Sequence, residues 1–191
     1  GIQAYRFAAE PFIFSLFKDE NQDKTQADIM KYYVISACFI ALTLLCFLDV
    51  AMLLVGADFR EGAGVIPILL AGYICFGAVF NLSFWYKMKD KTIYGAIIAA
   101  AGALVTVILN VILVPKMSYY GSAWATLAAF ATMLLLSYFL GKKHQPVPYD
   151  LVAIGKYVGL TWLLFAIVNS VDFAGFLKYA AVTVAVAIFL A

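Results

Sequence analysis

IYGAIIAAAGALVTVILNVILV, residues 93–114, runs for 22 residues without a charged side chain. A helix crosses the hydrocarbon core of a bilayer in about 20 apolar residues. In lipid, every backbone N–H and C=O must be bonded inside the protein, so such a run is a membrane helix or part of a closed barrel. The barrel is excluded because the apolar residues do not alternate with polar ones. Working outward, six further stretches read the same way: about 1–17, 31–55, 64–86, 119–140, 151–170 and 173–191. The expected fold is all-α: a polytopic transmembrane helical bundle of about seven spans, forming one membrane domain over residues 1–191.

Composition agrees. Hydrophobic residues make up 65% of the chain and charged residues 13%, against about 25% charged in soluble domains. Mean hydropathy is +0.96. Gly1 opens without Met inside apolar sequence, and Ala191 closes inside an apolar run. We therefore expect a piece of a longer membrane protein, with the first span truncated.

Several chemistries find no footing in the residues. The net charge of +2 gives no electrostatic footprint for nucleic acid. Cys38, Cys46 and Cys75 lie in spans without a C-x-x-C pair and read as small buried apolar groups. His144 is the sole histidine, so a His-rich metal site is not expected. Gly141-Lys142-Lys143-His144 lacks the glycine loop that cradles nucleotide phosphates. With no clustered nucleophile, base and orienting group, neither a catalytic residue nor a cofactor is expected, and the chain does not read as an enzyme.

Lysine placement sets the expected orientation, because positive loops are retained in the cytoplasm. Lys18, Lys24, Lys31, Lys87, Lys89, Lys91, Lys142, Lys143 and Lys156 fall at one set of connections, and Arg60, Lys116 and Lys178 at the other, nine against three. The lysine-rich set should be cytoplasmic. Residues 18–30 read as a solvated loop or a short surface helix.

Apolar helices gain nothing from lipid exclusion when they associate, so close contact needs small side chains. Gly95, Ala99 and Ala103 form one stripe of spacing four, and Gly121, Ala125 and Ala129 another. Either could pack statically or slide during alternating access. Pro11, Pro67 and Pro115 lie within or at the ends of spans; Pro11 should bend its helix, since it has no N–H to donate. Trp85, Tyr86, Tyr119 and Tyr120 occupy span ends, as an interfacial aromatic belt requires.

Ionisable and amide groups inside spans are the functional candidates. Arg6 and Glu10 are four apart on one helical face and can pair. Arg6 lies about 18 Å along the helix from Lys18, close to mid-membrane. It reads either as a cation lining a wet cavity for an anionic substrate or as half of a structural ion pair. Asp49 could couple transport to a cation or proton, or be solvated near the interface. Asn81 and Asn110 could bond to neighbouring helices or to substrate.

Several stretches, in order, carry a resemblance: QAYRFAAEPF at 3–12, VIPILL at 65–70, NLSFWYK at 81–87, DKT at 90–92 with YGA at 94–96, TVILN at 106–110 running to Pro115, GSAWAT at 121–126 and SYFLGKK at 137–143. Together they resemble the C-terminal half of Wzx-type polysaccharide flippases, particularly the Bacteroidetes-type branch, within the multidrug/oligosaccharidyl-lipid/polysaccharide exporter superfamily. The resemblance runs from about 1 to 160; NLSFWYK and GSAWAT are its most specific parts. It implies one lobe of a two-lobed, MATE-like transporter in the bacterial inner membrane. Such a protein turns undecaprenyl-pyrophosphate-linked oligosaccharide from the cytoplasmic to the outer leaflet. The implied partners are that lipid-linked oligosaccharide, membrane lipids, and polysaccharide polymerase or assembly proteins. A cationic cavity is implied, and Arg6 falls in the matching helix. The alternatives are a cation-coupled small-molecule exporter of the same superfamily, with Asp49 or Glu10 as coupling carboxylate, and a non-transporting membrane subunit of a polysaccharide assembly complex.

Overall fold

A computed structural model describes residues 22–48, 52 and 57–170. The expected spans at 1–17 and 173–191 lie outside the described residues, as do Arg6, Glu10 and Asp49. The described elements are all helical: α1 (Gln22–Cys46), a 3-10 segment (Ala57–Val65), α2 (Ile66–Leu82), α3 (Phe84–Met88), α4 (Ile93–Met117), α5 (Tyr119–His144) and α6 (Leu151–Ser170). Four stretches are long and apolar enough to cross a membrane: Gln22–Cys46, Glu61–Met88, Ile93–Met117 and Tyr119–His144. The chain is a membrane protein on that evidence. α6 adds a shorter apolar stretch, Leu151–Ile167.

Two boundaries differ from the sequence expectation. The polar stretch from Gln22 to Met30 is not a loop; it is the first part of α1, continuous with the span. Its Gln, Lys, Ala and Met residues are good helix formers, and Asp23 in the first turn complements the helix dipole. The expected span at 64–86 is interrupted at Ser83, whose N–H bonds the Phe80 carbonyl three residues back at 3.0 Å. Pro11 lies outside the described residues, while Pro67 and Pro115 sit at helix ends. Pro67 sits in the first turn of α2, where no backbone donor is needed. Pro115 lies in the last turn of α4. The chain then reverses at Ser118, a non-glycine residue with φ of 51°.

α5 lies between α4 and α2, and α1 packs on both α2 and α6. The core gathers Cys38 and Leu42 of α1, Ala78 and Leu82 of α2 and Leu164 of α6, with Leu134 and Tyr138 of α5 packed against it. α4 contributes nothing to that cluster. Its Leu104, Val107 and Val111 are exposed, as lipid-facing side chains of a membrane helix are.

One small-residue stripe is a packing seam and the other is not. Gly121, Ala125 and Ala129 are all buried. Ala99 and Ala103 are exposed; α4 buries Ile98 and Gly102 instead. The side chain of Met133 lies directly over Gly102, so the true contact face is turned by one residue from the expected one.

The ends of the helices sort as the lysine alternation requires. At one end Gln145 Nε2 donates to Asp23 Oδ1 at 2.6 Å, Gln26 Nε2 to the Tyr149 hydroxyl at 3.2 Å, and Lys89 Nζ to the His144 carbonyl at 2.5 Å. At the other, the Tyr119 hydroxyl donates to the Glu61 carbonyl at 3.3 Å, and Tyr120 lies against Gly64. Whole-cell labelling with a membrane-impermeant thiol reagent should therefore mark Gly62→Cys and spare Lys89→Cys. Gly62 has open space where a side chain would begin. Labelling of both positions from the same side would overturn the topology.

Candidate functional site at the lysine-rich end

Asn81 and Asn110 do not come together. Asn81 is buried one residue before the end of α2, and its Nδ2 donates to the Gly77 carbonyl at 3.1 Å. Asn110 lies toward the opposite end of the bundle, and its Nδ2 donates to the Thr106 carbonyl at 2.8 Å. Both amides thus bond four residues back on their own helices.

The described residues with the most chemistry in one place are at the lysine-rich end, around Trp85. The Ser83 turn directs α3 beneath the end of α5. Ser83 Oγ closes that turn on the Phe80 carbonyl at 2.6 Å. Trp85 is then 2% exposed. Its ring stacks on His144 with centroids 4.9 Å apart and meets Tyr86 and Tyr94, each at 5.3 Å. It is an enclosed anchor, where an interfacial belt residue had been expected. Its Nε1 has no acceptor among the described residues. A side chain beginning at Gly141 would come within 3.1 Å of that nitrogen, so the glycine is what leaves room beside the buried indole edge.

Beyond His144 the chain forms an extended strap. The N–H groups of Val147, Tyr149 and Leu151 each bond the carbonyl two residues back at 2.9 Å, a run of tight three-residue turns that the fixed φ of Pro146 and Pro148 suits. The strap, Leu82, Trp85, Gly141 and Lys142 border a cleft of about 140 Å³. None of the lining residues is acidic. Lys142 is exposed at the cleft, and Tyr149 forms part of its wall. Burial pushes the Tyr149 phenol well above its usual range, so it remains a protonated donor at neutral pH. Two carboxylates stand near the strap without lining the cleft: Asp23, which accepts from Gln145 and whose charge acts on the Tyr149 phenol, and Asp150, which accepts from the Ala153 N–H.

The sequence carried signals for this site in Trp85, Gly141 and the Pro-x-Pro spacing, but no pattern linked positions so far apart. Among the described residues no group of three or more His, Cys, Asp or Glu could hold a metal ion. Comparison with protein-family models, with curated proteins and with solved structures gave no match.

Proposed function

We propose that this chain is one lobe of a transporter in the bacterial inner membrane that flips undecaprenyl-pyrophosphate-linked oligosaccharide for polysaccharide or lipopolysaccharide assembly, without covalent chemistry. The ordered set of flippase-like stretches carries this reading. Its two most specific members include closely packed positions. NLSFWYK contains the Ser83 turn and the buried Trp85. GSAWAT contains Gly121, against which the backbone of Leu113 is packed.

In this reading Arg6 meets the pyrophosphate in a wet cavity. Charge then matters more than size, although the guanidinium fork also contributes. In the full-length protein, Arg6→Lys should keep part of the glycan export and Arg6→Ala should lose most of it at normal protein level and melting temperature. Glu10→Gln should be milder, since it frees Arg6 for the substrate. Export falling only in proportion to folded protein would reduce Arg6 to a brace for Glu10.

A further inference from the structure

The cleft at the lysine-rich end has the chemistry of an anion site at headgroup depth. Its buried indole N–H lacks an acceptor among the described residues, and a buried donor without a partner is costly. Lys142 adds a positive charge at the rim and the Tyr149 hydroxyl a second donor; no carboxylate lines the cleft, and Asp23, whose charge reaches Tyr149, is bonded by Gln145. Leu82, Val147 and the two strap prolines supply apolar wall. By the same measure a single water needs only about 10–15 Å³, so the space of about 140 Å³ takes a larger group. The location matters too. The cleft opens where α3 and α5 leave the apolar zone, beside Tyr86 and Tyr94, aromatic residues of the kind that sit at the level of lipid headgroups.

We propose that the cleft between Trp85, Gly141, Lys142 and Tyr149 binds the phosphate of an anionic phospholipid. The phosphate oxygens accept from the indole N–H and the Tyr149 hydroxyl and pair with Lys142, while the glycerol lies along the apolar wall. Gly141 is part of the site by what it omits, since any side chain there would crowd the indole nitrogen. This inference rests on the membrane character of the chain and is independent of the transported substrate.

The test is a binding isotherm of the full chain in neutral detergent with short-chain phosphatidylglycerol, compared with phosphatidylcholine and with inorganic phosphate. Phosphatidylglycerol should bind most tightly. Trp85→Phe and Lys142→Gln should each weaken it about tenfold, the scale of one hydrogen bond to a charged group. Lys143→Gln, next in sequence but outside the cleft, should leave it unchanged. Lys142 is exposed, so its substitution does not threaten the fold; melting temperatures without lipid check Trp85→Phe. Equal losses for Lys142→Gln and Lys143→Gln would mean a diffuse lysine field and overturn the proposal. Inorganic phosphate binding as tightly as the lipid would also overturn it, as would an undiminished affinity in Lys142→Gln.

Discussion

Gly121→Leu should lower the melting temperature of the protein in detergent sharply, while Leu135→Ala should hardly change it. A Cβ at position 121 would stand 2.6 Å from the carbonyl carbon and oxygen of Leu113 and 2.8 Å from the Val114 nitrogen. These are backbone atoms, held by the Ser118 reversal, so no side chain can swing aside. Overpacking of this kind costs roughly 1–3 kcal/mol, occasionally more. In lipid no hydrophobic gain offsets it, since an expelled helix face meets hydrocarbon as apolar as its former partner. Leu135 is 55% exposed, and its truncation mainly exchanges contacts with lipid. If Leu135→Ala melts lower than Gly121→Leu, the close approach of α4 and α5 is not what holds them together.

Trp85→Ala should be the most damaging truncation at the lysine-rich end. Removing a buried aromatic side chain costs about 3–5 kcal/mol, and each aromatic pair is worth about 0.5–1.5 kcal/mol beyond the area it buries. Trp85 packs on His144, Tyr86 and Tyr94 together, and so joins α3, α4 and the end of α5. Its loss should also loosen the Lys89 bond to the His144 carbonyl. Trp124 is 45% exposed and serves as the reference: thermal unfolding should rank Trp85→Ala far below Trp124→Ala. Similar melting for the two would show that the stacked cluster contributes little.

These two positions also mark how far the sequence could be read. Long uncharged runs with short polar joints specify membrane helices and their alternation, because lipid permits so few backbone solutions. The Gly121 stripe was legible because three small residues there coincide with a forced close approach. The Gly95 stripe misled for an equally physical reason. On a helix apolar all round, periodicity does not say which side meets protein and which meets lipid. Gly102 faces α5, with the Met133 side chain over it, a partner that no local pattern names. Residues 18–30 were read from their polarity as a solvated loop or a short surface helix, yet from Gln22 they continue the span, since a helix can leave the membrane without ending. Around the candidate site the difficulty is distance in sequence. Trp85, Gly141 and Tyr149 are individually ordinary; only the placement of α3 beneath α5, with the strap across, turns a tryptophan into a buried donor without an acceptor among the described residues. Asn81 and Asn110 stood out as polar groups in spans, and the amide nitrogen of each donates to a carbonyl of its own helix.

The strap also sets a clock on biosynthesis. It ties the start of α1 to residues synthesised much later: Gln26 waits for Tyr149, 123 positions on, and Asp23 for Gln145, 122 positions on. Ribosomes add about 5–20 residues per second, so the wait is roughly 6–24 s. Through that interval α1 can pair with α2 while the face later covered by α6 meets lipid or an attending chaperone. Asp23 and Gln26 tolerate the delay because they sit at the watery end of the helix, where solvent substitutes for the missing partner. The last described helix therefore joins the first, and its arrival dates the closing of these contacts on α1.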